Sequence, residues 1–407
     1  MSKKNRKWLV FTIMCLAYMP GSYAQYQLSV YAPELTQSFG LTTSQFSSLF
    51  TAPMIVAIFL SFVGGMISDK VGSKKVINIS FVIAGIGMIG RVFANSYMPF
   101  FLCMALTGFS NMFVNINASK ITASWFEQEK LGILMGIFAF CGQLPGAFAT
   151  ATTAVLFDSR TSAFIVSAIF CISVFVLWLL FVKDKPEDTM EEREKIDQEN
   201  QPSIGDSLKV VLSNKGIWLV SICIMMALGS TVTLSTFMPM ALQTMYGIDL
   251  KVCGTIASML TLGNCIGSIT GPIVFSKIKN VKVFVSGAAV LSFAGIIMCW
   301  RFPSIFVLHI LVLYTGIMLG ASMPIFLSAP VLLEGLGTKY AGSAAGVIST
   351  LQLLGAVLIP TYILTPIAGD NYSLLFMLTS ICMVIMFLCG LLLPQFGNNQ
   401  KKESQNK

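Results

Sequence analysis

Twelve stretches of this chain run for about 18 residues or more almost without charge, and that pattern limits the possible folds more than any other feature. Hydrocarbon offers no hydrogen-bond partners, so a backbone that crosses it must satisfy its own amides, as a helix does. A ~30 Å apolar layer takes roughly 20 residues of helix. The runs fall at about 8–30, 44–66, 76–94, 98–121, 131–156, 162–182, 216–243, 251–274, 282–300, 304–327, 341–366 and 373–393. Of the 407 residues 55% are hydrophobic and 11% charged, too little polar surface to cover a soluble globule. The sequence predicts an all-α membrane protein with twelve transmembrane helices. The first run follows MSKKNRK, has no small-residue cleavage site and continues through Pro20 and Tyr23, so it is expected to be a retained helix.

The net charge of +8 has a topological reading. Basic residues sit at the ends of apolar runs and do not interleave with exposed aromatics, which excludes a nucleic-acid surface. With the N-terminus inside, Lys3, Lys4, Arg6, Lys7, Lys70, Lys74, Lys75, Lys120, Lys130, Lys277, Lys279, Lys282 and Lys339 all fall on the cytoplasmic side. Only Arg91, Arg160, Lys251 and Arg301 fall on the other. The bias predicts a multi-pass protein of the cell membrane with both termini cytoplasmic. The ten cysteines lie in or beside apolar runs with no CxxC pair, so they read as packing residues, and neither a metal nor a cofactor is expected.

One long polar segment, Lys183 to Lys209, follows the sixth run. It divides the chain into an expected six-helix bundle at 1–182, a cytoplasmic linker at 183–215 with an interfacial helix near Ser207 to Asn214, a second bundle at 216–394 and a tail at 395–407. The halves resemble each other. AGIGMIGR at Ala84 to Arg91 aligns with AGIIMCWR at Ala294 to Arg301 at an offset of about 210 residues, and Gly132 and Gly136 align with Gly342 and Gly346 at the same offset. Internal repeats of this kind are a common plan for transporters.

Between the second and third runs stands GGMISDKVGSKK, Gly64 to Lys75. Its Gly65, Asp69, Lys70, Gly72, Lys74 and Lys75 match the pattern G-x-x-x-D-[R/K]-x-G-x-[R/K]-[R/K], which resembles the signature of the major facilitator superfamily. Physically, Gly65 allows close helix approach, Gly72 a tight turn, and the lysines hold the loop on one side. The resemblance implies two pseudo-symmetric six-helix bundles, rocker-switch alternating access, and an Asp69 that docks near Ala341 and Gly342 at the start of the eleventh span, where a helix dipole favours a carboxylate. The equivalent loop of the second half, GPIVFSKIKNVK, has no acid, so gating is expected to rest on the first half. CGQLPGA at Cys141 to Ala147 is only partly like the kink motif of drug/proton antiporters, and the fourth span lacks their arginine.

The resemblance places the substrate near the membrane midplane. Polar mid-span residues are the candidates, since a polar group in hydrocarbon is costly unless paired or facing a cavity. They are Tyr23, Tyr26 and Gln27 in the first span, Asn111 and Asn115 in the fourth, Gln143 in the fifth, Asn264 in the eighth, Tyr314 in the tenth and Gln352 in the eleventh. Gln143 and Gln352 occupy near-equivalent depths in the two halves, and each candidate has an alternative role in helix–helix hydrogen bonding. No acid, lysine or arginine falls at mid-depth; Glu34 and Asp158 sit at outer ends, and His309 starts the tenth span. The expected cavity is polar and uncharged. The reading is a secondary transporter of a small neutral, zwitterionic or ionic organic solute, working as a facilitator or exchanger. The alternatives are an organic-anion antiporter of monocarboxylate, oxalate or cyanate type, a proton-coupled symporter, and a non-transporting membrane receptor. Expected partners are the small-molecule substrate and the lipid bilayer, with no nucleic acid, and the chain is expected to be a monomer. No Ser/His/Asp grouping, HExxH or phosphate loop points to an enzyme.

Overall fold

The structure is a computed structural model that describes residues 3–126, 128–182, 204–333 and 336–395. Among them every regular element is helical: α1 (Lys3–Val30), α2 (Ala32–Phe39), α3 (Thr43–Val71), α4 (Ser73–Phe93), α5 (Tyr97–Trp125), α6 (Gln128–Leu156), α7 (Arg160–Phe181), α8 (Ile204–Ser213), α9 (Lys215–Tyr246), α10 (Leu250–Ile278), α11 (Val281–Met298), α12 (Ile305–Ala321), α13 (Met323–Leu332), α14 (Gly337–Leu358), a π-helical turn (Ile359–Leu364), α15 (Thr365–Ala368) and α16 (Tyr372–Leu392). Eleven stretches of the described residues are long and apolar enough to cross a membrane. α1, with 28 residues, matches them in length and takes the place of the twelfth. Its hydropathy is diluted by Ser22, Tyr23, Gln25, Tyr26 and Gln27.

Three local features depart from uninterrupted spans. The first run ends in a corner: Gly40 caps α2 with φ 60°, and Thr42 opens α3 with a capping box to Gln45. Glu34 of α2 pairs with Arg160 at 3.6 Å, and the Tyr31 hydroxyl donates to the Ser159 carbonyl at 3.4 Å, tying the corner to the start of α7. The tenth run breaks at Ser322, just before Pro324 in the first turn of α13. The eleventh run loosens into six π-helical residues that include Pro360, whose missing N–H cannot continue an α-helical ladder.

The chain forms two compact units, residues 1–190 with 235–261, and residues 191–234 with 262–407. The first unit buries Met14, Phe81, Phe138 and Trp178 in one apolar core. Its α3 and α5 meet where a β-carbon on Gly108 would strike the Pro53 backbone. In the second unit Gly263, Gly267 and Gly271, four residues apart along α10, lie against the backbone of α12 at Leu313, Ile317 and Ala321. Gly320 of α12 answers with contact to the Asn264 backbone. Lipid provides no hydrophobic drive between helices, so such seams rest on close backbone approach and dispersion.

Candidate functional site

Most candidate residues of the first unit border the polar stretch of α1. Gly21 leaves room for Asn111 of α5, whose amide, set to satisfy both its ends, donates to the Tyr18 carbonyl at 3.1 Å and accepts from the Ser22 amide at 3.0 Å. Tyr26 is half-buried, meets Phe50 edge-on at 5.5 Å, and lies where a β-carbon on Gly146 of α6 would press on its ring. One turn before Gly146 on α6, Gln143 is also half-buried. Tyr23 is half-buried with its ring edge to Phe170 at 6.4 Å. Asn115, one turn beyond Asn111, is exposed.

Gln27 is placed otherwise. It is fully buried, its amide donates to the Ala163 carbonyl at 3.2 Å, and its oxygen accepts from Arg91 at 2.9 Å. Gln25, not among the candidates, donates to the Phe50 carbonyl at 2.8 Å. In the second unit, Asn264 is buried in the glycine seam, Tyr314 donates to the Leu291 carbonyl at 3.3 Å, and Gln352 is half-buried on α14.

Arg91 is the residue whose part in the site the sequence reasoning missed. It stands near the outer end of the third run and counts there only for its side of the membrane, yet α4 carries it inside the first unit, 1% exposed. It is the one buried charged side chain among the described residues. Its guanidinium donates to the Ala24 carbonyl at 3.0 Å, to Gln27 and to the Ser167 hydroxyl, faces Met104, and covers the Phe164 ring at 4.4 Å. Its Nε has no partner. Every group around it is neutral, so the charge is solvated by dipoles and a ring face. The sequence held one signal: a cation in the last turn of a helix is favoured by the helix dipole. The arginine in the same repeat register, Arg301, lies beyond the end of α11, exposed over the Trp300 ring at 5.4 Å.

The gating segment is described in part. Gly72 joins α3 to α4 at φ 94°, a conformation that suits glycine, and donates to the Ser68 carbonyl at 3.1 Å. Asn117 of α5, a residue the sequence did not single out, donates to the Ser68 hydroxyl at 3.0 Å and to the Phe113 carbonyl at 2.8 Å, anchoring the last turn of α3. Lys74 is half-buried and Lys75 exposed. The side chains of Asp69 and Lys70, like Gly65, Ala341 and Gly342, lie outside the described side-chain environments, and with them the expected Asp69 contact.

Comparison with known proteins closes the description. The family model of the Major Facilitator Superfamily matches residues 10–360. A protein of Cupriavidus necator named "Probable sulfoacetate transporter SauU" is 24% identical over 84% of this chain and 83% of its own length. The galacturonate transporter of Dickeya chrysanthemi is 22% identical over 72% of this chain and 90% of its own. Among solved structures, a bacterial homologue of the human lysosomal transporter Spinster superposes with a TM-score of 0.80 at 13% identity, covering 97% of this chain and 98% of that one, which establishes the shared twelve-helix fold.

Proposed function

The chain belongs to the Major Facilitator Superfamily and is a secondary transporter of small organic solutes, and for its cargo we propose a small organic anion, a carboxylate or sulfonate. The carrying observation is Arg91, a buried guanidinium with only neutral partners and no buried acid among the described residues to cancel it. At an effective dielectric of ~20, a unit charge favours an anion ~10 Å away by about 1.7 kcal/mol. That favours an anion over a neutral analogue by roughly an order of magnitude, before any direct contact. The relatives named for sulfoacetate and galacturonate support the same class.

The solute is held near the membrane midplane, with Tyr23, Tyr26, Asn111, Asn115 and Gln143 on the first-half side and Asn264, Tyr314 and Gln352 on the second. Gln27 orients α1 through Arg91. An amide both donates and accepts, so Gln143 and Gln352 suit the oxygens of an acid without adding charge. Two six-helix halves, 1–182 and 216–394, rock about this site, and Asp69 latches the α3–α4 connection to the first turn of α14. Lysine placement supports a cell-membrane protein with both termini cytoplasmic. The inventory of spans supports exchange or facilitated movement over proton symport. Counterflow into proteoliposomes tests the reading: labelled galacturonate, sulfoacetate and a neutral hexose are offered in parallel. Uptake of the acids alone is expected; uptake of the hexose alone would sink the anion assignment.

A further inference from the structure

Where the end of α3, the first half of α4 and the middle of α5 meet, the first unit carries a groove of about 290 Å3. Ile67 and Val71 of α3, Val76 and Ile79 of α4 and Phe113 of α5 line it. Its one hydroxyl, Ser80, is already spent on the Ile77 carbonyl at 2.8 Å. The space equals roughly ten water volumes, but water there would find no hydrogen-bond partner. Gly64 deepens the groove, since a β-carbon there would press on the Phe113 ring at 3.0 Å. Ile67, Val71 and Ile79 are 40%, 43% and 57% exposed, so the groove is open to the surroundings of the helices, beside the apolar span Ser73–Phe93.

The groove has a polar end. Along α4 its lining runs from Ile83 back to Val76, ~10 Å of helix axis, and stops beside Lys75. There α4 starts at Gly72, which offers no capping side chain, and its first turn holds no acid. Lys75 is exposed in the first turn of α4, and from Asp69 to Lys75 the sequence sets three lysines against one acid. An apolar slot that terminates at a positive, uncapped helix start matches a molecule with a hydrocarbon chain and an anionic head.

We propose that this groove docks one acyl chain of an acidic glycerophospholipid, with the headgroup phosphate held by Lys75 and the first turn of α4. The occupant comes from the leaflet that meets the α3–α4 connection. Its site is separate from the transported solute, and occupancy ties lipid composition to the segment that carries the gating motif.

The test is native mass spectrometry of the full chain in detergent, titrated with dioleoyl phosphatidylglycerol or dioleoyl phosphatidylcholine. One phosphatidylglycerol adduct is expected to form about fivefold more tightly than its phosphatidylcholine counterpart, the worth of one lysine beside an acidic lipid. Lys75→Gln should abolish that preference, weakening phosphatidylglycerol more than phosphatidylcholine. Ile79→Trp, at an exposed position, should weaken both lipids about tenfold by excluding roughly two methylenes from the groove. Thermal melting checks that each variant is folded, and the wild-type pair of titrations decides the charge claim without any variant. Equal affinity of wild type for the two lipids, or wild-type binding by folded Ile79→Trp, would overturn the proposal.

Discussion

Arg91 in α4 donates to the side-chain oxygen of Gln27 in α1 at 2.9 Å, and through that bond a buried charge holds the helix that carries Tyr23 and Tyr26. Arg91 also reaches Ser167 of α7 and Met104 of α5, so four helices meet at one guanidinium. Removing the group therefore has two separable effects, on structure and on field. Arg91→Ala leaves the Gln27 oxygen unsatisfied and should cost about 1–3 kcal/mol, read as a lower melting temperature. Arg91→Met keeps most of the volume without the charge, and replacing a buried ion by a well-packed apolar side chain is often near neutral. It should melt near wild type while uptake of an organic acid falls about tenfold, with Arg91→Lys retaining more activity. Equal anion uptake in folded Arg91→Met would detach the charge from substrate choice.

Asp69 is expected to govern conformation and not recognition. Asp69→Asn should slow transport while leaving substrate affinity in detergent within about threefold, because the residue stands at the α3–α4 connection, far along the helix from mid-span positions. Labelling rates of single cysteines from each side of the membrane read the conformational balance directly. Unchanged rates would refute the latch.

Gln143 and Gln352 are both half-buried, so each can present an amide to solute. Replacing either with Ala should weaken binding by about 1–2 kcal/mol, or roughly five- to thirtyfold, in line with the loss of a buried hydrogen bond. Calorimetric titration of both single variants with the transported acid checks this; wild-type affinity in both removes them from the site.

Glu34 pairs with Arg160 at 3.6 Å in a half-exposed setting, where an ion pair contributes about 0–1 kcal/mol. Glu34→Gln should leave melting nearly unchanged and should not alter uptake driven by an imposed pH gradient. Proton-driven accumulation that disappears in this variant would make Glu34 a coupling residue.

The glycine seam of α10 offers a sharper structural test. A β-carbon on Gly267 would run into the Ile317 carbonyl of α12, and backbone cannot give way as a flexible side chain can. Gly267→Val should abolish folded protein in membranes, whereas Gly287→Val, at a glycine with open space around it, should not. Size-exclusion profiles of the two variants make the comparison.

Length and hydropathy placed the spans within a few residues because the bilayer fixes both quantities, and the short helix before the second half, Ile204–Ser213, lies close to its expected position. Hydropathy carries no account of what a helix touches. It therefore gave Arg91 only a side of the membrane and Gln27 a cavity, although the two side chains bond each other. Mid-span polarity selected Asn111 and Asn115, yet the first binds α1, the second is exposed, and Asn117 makes the contact that anchors α3. The break at Ser322 was illegible for another reason: the residues around it are mostly apolar, and only Pro324 marks the interruption.

The π-helical turn at Ile359–Leu364 changes how the eleventh span is to be compared with anything else. An α-helix advances about 100° per residue, so each residue accommodated by widening rotates all that follows by about that angle. A helical wheel drawn from Gln352 through Tyr362 assigns the later positions to the wrong face. A cysteine-accessibility scan of this span should show a regular rhythm up to Leu358 and the same rhythm, shifted in phase, from Thr365 onward. An alignment that carries residue roles from an uninterrupted α-helix across this turn needs a one-residue gap within it.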